Sequence, residues 1–300
     1  MATVDVIIPA FNAARYLPAA IESVISQTFD DWRILLVDDG STDNTADVVA
    51  PYLDRLGPKI RHIKQDNRGV SAARNAAILA STAEFLALLD ADDVWLPCRL
   101  AGSVRILIER PRAGLAYGLI QGIDQEGRPG ETWAGNSAHA EGHIAPYIYM
   151  RTVELPSPTI TLRRRCLDEV GVFDETLRVS EDRDLWLRIA LRYEVAFVPA
   201  VLAYYRGTPG SLSGDPKTML QAQLQFIRKH YGAEGCGLGA RQAAMARCYK
   251  QQAESLKMRG RASAALLSSL RAVALYPLSI DNFRTAASLL LNWIGSSTRS

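Results

Sequence analysis

Short apolar runs alternate with amphipathic stretches over the first ninety residues of the chain. Runs rich in β-branched and aliphatic residues predict four strands, at 4–9, 32–37, 60–64 and 84–89. Apolar residues at helical spacing predict three helices between them, over 12–27, from Ser41 or Thr42 to about Leu56, and over 71–80. Strands and helices that alternate in this way are typical of an α/β fold with a mainly parallel sheet.

The pattern changes twice further along the chain. Residues 121–158 show little periodicity and are rich in Gly and Pro, which predicts long loops that form a binding rim. Beyond them we expect strands at 159–162 and 195–205 and helices at 166–170 and 182–192. From about residue 217 the spacing is helical, with predicted helices at 217–231, 241–258, 261–275 and 280–294. We therefore expect an α/β domain over 1–216 and an all-helical C-terminal region over 217–300.

The composition is that of a soluble globular protein. With 48% hydrophobic and 22% charged residues, the 300-residue chain is neither disordered nor collagen-like. Its four Cys are widely spaced without a CxxC pair, so we expect no zinc ribbon or disulfide framework, and a reducing compartment fits. No apolar run approaches the ~18 residues of a membrane span, and the first residues lack the features of a signal peptide. We expect a cytoplasmic protein.

Charge is unevenly distributed along the chain. Residues 1–216 carry 22 basic and 29 acidic side chains, a balance of −7, whereas residues 217–300 carry 12 basic and 3 acidic ones, a balance of +9. The basic region is either an Arg-rich helical face in solvent or a contact with an anionic surface, such as the inner face of a membrane. Its apolar stripes could equally form the interface of a homodimer. We expect no nucleic acid among its partners.

Acidic clusters follow two of the predicted strands. Ligands of parallel α/β sheets bind beyond the carboxyl ends of the strands, so we expect these clusters to face one cleft. Asp90-Ala91-Asp92-Asp93 would suit Mg²⁺ or Mn²⁺, which take oxygen ligands from one or two carboxylates and from substrate phosphates. Asp38-Asp39, before Gly40, could accept hydrogen bonds from a nucleotide's base or ribose. Taken singly, each cluster is equally explained as a solvated or capping turn.

Two further segments carry candidate chemistry. Residues 67–75 combine Gly69, a helix start and two Arg, among them Arg74, which suits a phosphate or nucleotide contact. Glu181 and Asp182 begin a predicted helix, where they either favour the helix dipole or supply a general base. P-loop and GxGxxG patterns are absent.

Taken together and in order, these segments resemble glycosyltransferase family 2, a large inverting family with a GT-A fold. The resemblance covers roughly residues 3–214. Its pieces are Val6–Asn12, Ser26–Thr28, Val37–Asp43, Asn67–Gly69 with Ala73–Asn75, Leu89–Asp93, Gly171–Glu175 and Glu181-Asp182. Each piece is weak alone, but the ordered set is highly specific.

The resemblance implies a donor site for a nucleotide sugar. It assigns the base pocket to Pro9, Ala10 and Phe11, and places Asn12 in the same site. Asp39, helped by Asp38, would accept a hydrogen bond from the base, commonly uracil. Gly69 and Arg74 would lie along the nucleotide.

The resemblance also implies the reacting groups. Asp90, Ala91 and Asp92 form the DxD element, which holds ribose and metal, and the adjacent Asp93 could share in it. Asp182 matches the catalytic base, with Glu181 beside it. A bound divalent ion offsets the charge that develops on the diphosphate, and a carboxylate accepts the proton of the attacking hydroxyl.

The expected activity is a metal-dependent, inverting transfer of a hexosyl or N-acetylhexosaminyl group from a UDP- or dTDP-sugar. The acceptor would be a surface glycan or a lipid-linked saccharide. The chain lacks the QxxRW motif of processive synthases, which implies addition of a single sugar, and lacks the His that many relatives carry after Tyr204-Tyr205-Arg206. The alternatives are a phosphoryl-transfer enzyme that uses the DxD element and an inactive nucleotide-sugar-binding protein.

Overall fold

The computed structural model describes residues 3–130, 139–207 and 215–297, with side chains as far as residue 291. Its strands are β1 (Val4–Ala10), β2 (Trp32–Asp39), β3 (Ile60–Gln65), β4 (Phe85–Leu88), β5 (Val94–Trp95), β6 (Ala113–Ile123), β7 (Thr161–Arg163) and β8 (Glu194–Arg206). They form one sheet in the order β3-β2-β1-β4-β7-β6-β8-β5. Four of the neighbouring pairs are parallel and three are antiparallel, so the sheet is mixed.

Helices connect and cover these strands. The first seven are α1 (Leu17–Ile25), α2 (Thr45–Leu56), α3 (Val70–Ala80), α4 (Arg99–Glu109), α5 (Ala145–Tyr149), α6 (Arg164–Val170) and α7 (Glu181–Ala190). The last four are α8 (Pro216–Lys229), α9 (Leu238–Met258), α10 (Ala262–Leu275) and α11 (Ile280–Ser297). The α/β class and the C-terminal helices that the sequence predicts are both confirmed. No helix of the described residues is long and apolar enough to cross a membrane.

The core lies at the parallel part of the sheet. Strand β1 pairs with β2 on one side and β4 on the other, so all of its apolar side chains are buried except that of Pro9, which is half-buried. Strands buried on both faces read as continuous apolar runs rather than alternating ones, which is why β1, β2 and β4 are recognisable in the sequence. The carboxyl ends of the same three strands carry the candidate residues.

Two of the predicted helix starts are wrong. Helix α1 begins at Leu17 rather than near residue 12, and α2 begins at Thr45 rather than at Ser41 or Thr42. The side-chain Oδ1 of Asn12 accepts hydrogen bonds from the backbone N–H groups of Thr42 and Asp43, at 2.8 and 3.3 Å. These amides therefore bind the loop after β1, and the helix starts one turn later.

The region predicted as long loops also contains regular structure. Strand β6 runs as far as Ile123, and helix α5 and a 3₁₀ turn at Ser157–Thr159 lie further along. Strand β6 carries three glycines, which are poor strand formers, and this hides it in the sequence. A Cβ on Gly118 would stand 2.5 Å from the side chain of Leu202, so close packing against β8 requires glycine there.

The chain divides into two compact units. The first unit comprises residues 1–144 and 154–209, and the second comprises 145–153 and 210–300. Within the second unit the Tyr149 hydroxyl donates to the carbonyl of Ile227 at 3.0 Å, so α5 belongs with the C-terminal helices. The assignment of catalysis to 1–216 and of a separate role to the basic region 217–300 stays a prediction.

Candidate active site

The loops that follow β1 and β2 are tied to each other. The backbone N–H of Asn12 donates to Ser41 Oγ at 3.0 Å, and the Ser41 N–H donates to Asp38 Oδ1 at 2.9 Å. Asn12 adopts a left-handed conformation with φ 49°, which Asn tolerates better than most residues. Beside it Ala10 is buried while Phe11 is 51% exposed, so the Phe11 ring is presented to solvent at the sheet edge.

Asp39, at the end of β2, fixes the loop that leads into α3. Its Oδ1 accepts from the Arg68 N–H at 2.9 Å and from Gln65 Nε2 at 2.7 Å. Its Oδ2 accepts from the Gly69 N–H at 2.8 Å, and Gly69 has φ +90°. The carboxylate is buried, and these three donors orient it. Two oxygens offer about four acceptor positions, so one remains for a ligand donor.

Arg74 joins the end of β4 to the start of α7. The guanidinium is 4% exposed and donates to Asp90 Oδ1 at 2.7 Å and to Glu181 Oε1 at 3.0 Å. It also lies over the ring of Phe173, 5.3 Å from the ring centroid. Burial alone would lower the pKa of Arg74, but the neighbouring Asp90 and Glu181 carboxylates raise it above its ordinary value. Arg74 is therefore a permanent cation that holds two candidate carboxylates together.

The next residue of α3 fixes the segment before α7. The side chain of Asn75 donates to the Phe173 carbonyl and to Glu175 Oε1, both at 3.0 Å, and accepts from the Phe173 N–H at 3.0 Å. Glu175 also forms an ion pair with Arg68 at 2.8 Å. The segment that leads to Glu181 is thus attached to the same helix that carries Arg74.

Asp93 is bound by strand β8. Its Oδ1 accepts from the Arg206 N–H at 2.9 Å, and the Arg206 side chain donates to the Asp92 carbonyl at 2.9 Å. Burial, together with the charges of Asp90 and Asp92, raises the pKa of Asp93 well above its ordinary value. Its Oδ2 lacks a hydrogen-bond partner among the described residues.

These oxygen ligands fit a divalent cation that is shared with a substrate. Within the described residues no three His, Cys, Asp or Glu side chains form a group that could hold a metal ion by themselves. Asp90 and Asp92 are half-buried, and Mg²⁺ or Mn²⁺ held by one or two carboxylates takes its other ligands from phosphates and water. A cation would therefore bind here with a diphosphate.

Asp182 accepts one hydrogen bond from the adjacent Arg183 N–H, at 2.6 Å, and another from a distant part of the chain. Ser157 Oγ donates to Asp182 Oδ2 at 3.0 Å, and the next residue of α7, Arg183, pairs with Glu154 at 2.5 Å. Ser180, which precedes the helix, has a left-handed φ of 67°, a strained conformation for a residue with a side chain. The first turn of α7 is thus held against residues 154–157.

Two buried side chains hold the segment around Ser157 in place through hydrogen bonds to residues 158–161. Trp95 Nε1 donates to the Pro158 carbonyl at 2.7 Å, and Arg99 donates to the Ile160 carbonyl at 2.5 Å and to the Thr161 hydroxyl. Arg99 is fully buried and has no carboxylate partner among the described residues, and burial lowers its pKa to about 9. The position of Ser157 is therefore set by the core.

The carboxylates raise the pKa of two groups around them. Burial, and then the charge of Asp182, raise the pKa of Glu181 to about 7 from an ordinary 4.5, although Arg74 acts in the opposite direction. Burial, followed by the charges of Asp93, Asp92, Asp90 and Asp182, raises the pKa of Tyr205 to about 12. Perturbed groups of this kind cluster at functional sites, where burial and like charges are combined.

The structure thus joins the residues that the sequence singles out. Asp39 contacts Gly69, and Arg74 contacts both Asp90 and Glu181. Pro9 and Ala10 lie in β1 opposite Val37 and Asp38 of β2, so they share the edge at which Asp39 stands. The roles of these residues in donor, metal and acceptor binding stay predictions.

Sequence reasoning missed three residues of this site: Ser157, Tyr205 and Arg206. Tyr205 and Arg206 stand in the stretch where the expected His is missing, and that stretch was a usable signal. Ser157 lies in a Pro-rich segment without periodicity, and its contact with Asp182 spans 25 residues, so no local pattern could reveal it.

Comparisons with known proteins identify the family and the fold of this chain. The family model described as Glycosyl transferase family 2 matches residues 5–170. An uncharacterized glycosyltransferase of Nostoc sp. is 34% identical over 206 residues, which are 68% of this chain and 64% of that protein. The succinoglycan biosynthesis protein ExoU of Rhizobium meliloti is 31% identical over 72% of this chain and 65% of its own length. The chain therefore spans just under two thirds of these two relatives.

Solved structures show the same fold at low identity. The structure of S. aureus TarS 1–349 in complex with UDP-GlcNAc matches with a TM-score of 0.66 and 17% identity, over 96% of this chain and 92% of that one. The mannosyltransferase PcManGT of Pyrobaculum calidifontis, in complex with GDP-Man and Mn²⁺, matches with a TM-score of 0.66 and 18% identity over 99% and 81%. The fold of this chain is GT-A-like, as the sequence resemblance implies.

Proposed function

This chain belongs to glycosyl transferase family 2, and we propose that it transfers a sugar from a nucleotide-sugar donor during synthesis of a bacterial polysaccharide. One observation carries the proposal: buried Arg74 brings Asp90, at the end of β4, together with Glu181, at the start of α7. The same guanidinium thus joins the expected donor side and the expected base side of one site. The names of two relatives support the polysaccharide assignment: the succinoglycan biosynthesis protein ExoU and the "putative teichuronic acid biosynthesis glycosyltransferase" TuaG of Bacillus subtilis.

The donor would bind along the carboxyl ends of β1, β2 and β4. The base would lie against Pro9, Ala10 and the exposed ring of Phe11, and its N–H would donate to Asp39, whose orientation the loop amides already set. An acidic acceptor at this position favours a base with a ring N–H, which uracil, thymine and guanine carry and cytosine lacks. Among these, the family resemblance favours a UDP- or dTDP-sugar. Gly69 and Arg74 would follow the nucleotide toward the diphosphate.

A divalent ion would be held by Asp90 and Asp92, with Asp93 behind them. Bound Mn²⁺ or Mg²⁺ supplies Lewis-acid stabilisation of charge on the diphosphate. The protein's own contribution is to keep three carboxylates close together. Arg74 offsets the charge of Asp90, and Arg206 binds Asp93 and the Asp92 carbonyl.

Asp182 is the proposed general base. The acceptor oxygen bonds to the anomeric carbon while the bond from that carbon to the diphosphate oxygen breaks, and the hydroxyl proton passes to an Asp182 carboxylate oxygen. The leaving group keeps the bonding electron pair, and attack from the opposite side inverts the anomeric configuration. Ser157 would position this carboxylate, and Glu181, whose pKa is about 7, adjoins it as a second proton acceptor near neutral pH.

We further propose the finer features of the reaction. The transferred group is a hexosyl or N-acetylhexosaminyl residue, the acceptor is a surface glycan or a lipid-linked saccharide, and one sugar is added per encounter. The support is the absence of a QxxRW motif and the names of the relatives, one of which was solved with UDP-GlcNAc.

Calorimetric binding of UDP, dTDP, GDP and CMP, with and without Mn²⁺, tests the donor site. We expect Mn²⁺-dependent binding of a uracil or thymine nucleotide that Asp92→Asn abolishes and the exposed control Asp47→Asn leaves intact. Hydrolysis of the matching nucleotide sugar then tests the base: Asp182→Asn should bind donor normally but turn it over at least about 100-fold more slowly. Failure of every nucleotide to bind would contradict the proposal, as would full turnover by Asp182→Asn.

A further inference from the structure

The last two helices of the second unit have most of their larger apolar side chains on the outside. Apart from Leu289, which is buried, the inward positions hold small or polar residues, namely Ala265, Ser268, Ala272, Asn282 and Ala286. Asn282 Nδ2 donates to the carbonyls of Ala272 and Tyr276, both at 3.3 Å, which ties α11 to the end of α10. The outward positions hold Leu267, Leu270, Leu278, Ile280, Phe283 and Leu291, each more than half exposed.

These outward residues, with the arginines beside them, are called here the α10–α11 face. On α10, Leu267, Leu270 and Arg271 are three or four residues apart, so they lie side by side. On α11, Ile280 stands beside Phe283 and Arg284 by the same spacing. Single exposed leucines are ordinary in soluble proteins, but a contiguous exposed apolar stripe marks an interaction site.

The charge around the face is almost entirely positive. Between residues 255 and 297 the chain has five basic residues and one acidic residue, Asp281. Arg261, Arg271 and Arg284 are exposed, and no ion pair within the described residues neutralises any of them. An apolar stripe flanked by arginines is the pattern of helices that lie in the plane of a membrane surface.

We propose that the α10–α11 face docks on an anionic lipid surface, with the apolar stripe in the acyl boundary and the arginines among the head groups. A second copy of the chain fits less well. A two-fold interface would place this positively charged surface against its own copy, with only Asp281 to offset the arginines. An anionic bilayer meets both the positive charge and the apolar stripe. The inference does not depend on the proposed catalytic activity.

Flotation of the full chain with vesicles tests the inference. We expect binding to vesicles of 30% phosphatidylglycerol in phosphatidylcholine, no binding to pure phosphatidylcholine, and weaker binding in 0.5 M NaCl. Removal of one charge near such a surface lowers the partition coefficient about five-fold, so Arg271→Gln with Arg284→Gln should lose about 25-fold. Phe283→Ser with Leu270→Ser should lose at least as much.

The matched control is Lys217→Gln with Arg228→Gln, which removes the same charge from exposed positions of α8. Its binding should change by no more than about two-fold, because charges away from the surface are screened within a Debye length. Equal losses in the control and in the α10–α11 variants would overturn the proposal. The absence of vesicle binding would also overturn the proposal. If sedimentation then showed a dimer that Phe283→Ser dissociates, the face would be an interface between two copies of the chain. Circular dichroism of every variant verifies that it is folded.

Discussion

Replacement of Arg74 by Met tests whether one buried cation holds the candidate site together. The change removes hydrogen bonds of 2.7 Å to Asp90 and 3.0 Å to Glu181 and leaves both carboxylates buried or half-buried without their partner. Loss of one member of a buried ion pair destabilises a protein by about 3–5 kcal/mol. We expect this loss in the free energy of unfolding at pH 8.

The effect should depend on pH with a defined sign. Glu181 has a pKa of about 7 with Arg74 in place, and Arg74 lowers it. Without Arg74 the pKa of Glu181 rises, so the folded variant binds more protons than the folded wild type between pH 5.5 and 8. The variant's deficit therefore grows with pH, and we expect it to be about 1–2 kcal/mol smaller at pH 5.5 than at pH 8.

Urea unfolding at the two pH values measures both quantities. Arg99→Met is the matched control, because Arg99 is equally buried but binds carbonyl and hydroxyl groups instead of carboxylates. Its destabilisation should be the same at pH 5.5 and pH 8, since both lie below the Arg99 pKa of about 9. A loss below about 1 kcal/mol for Arg74→Met, or a loss that does not change with pH, would refute the reasoning.

Three further predictions follow from single contacts. The folded-state pKa of Glu181 is raised from 4.5 to about 7, so the folded protein binds more protons than the unfolded one in this range. As the pH rises from 4.5 to 7, the free energy of unfolding of the wild type should therefore fall by about 3 kcal/mol relative to that of Glu181→Gln. Equal pH dependence of the two proteins would contradict this. Gly40→Ala should cost about 1–3 kcal/mol, because φ is +76° and the new Cβ would stand 2.8 Å from the Asn67 nitrogen. Gly57→Ala is the control, because a Cβ at Gly57 would have no atom within 4 Å, and it should lower Tm less than Gly40→Ala does. Equal decreases in Tm would contradict a steric clash between residue 40 and Asn67. Ser157→Ala should lower kcat about ten-fold with the donor KM unchanged, because Asp182 loses the hydrogen bond that orients it, and Ser157→Thr should recover the rate. An unchanged kcat would rule out positioning of Asp182.

The parallel part of the fold could be predicted because its signals are local. Strands β1, β2 and β4 are mostly apolar runs, interrupted only by Asp5 in β1 and Arg33 in β2. The acidic residues of the site lie at the end of β2 and just after β4. The sheet topology then brings Asp39 and Asp90 to the same edge without any knowledge of side-chain contacts.

The contacts that orient the site could not be predicted, because their partners are far apart in the sequence. Arg206 binds carbonyls of Asp92 and Asp124, which lie 114 and 82 residues away, and Arg99 binds a carbonyl 61 residues away. A buried Arg that pairs with backbone oxygens leaves no pattern in neighbouring residues. A charged residue that the sequence suggests is exposed to solvent can therefore be buried and can hold distant backbone segments in place.

The placement of residues 145–153 in the second unit has a consequence for synthesis on the ribosome. The Tyr149 hydroxyl bonds a carbonyl that is translated 78 residues later. At roughly 5–20 residues per second, α5 waits about 4–16 s for α8, while the strands and helices between residues 154 and 206 are translated. All strands of the first unit are therefore translated before residues 145–153 meet the helix that they pack against. Truncation of the chain near residue 217 would leave the ring and hydroxyl of Tyr149 exposed. Because residues 145–153 interrupt the sequence of the first unit, the second unit cannot be replaced by that of another protein through a single fusion point.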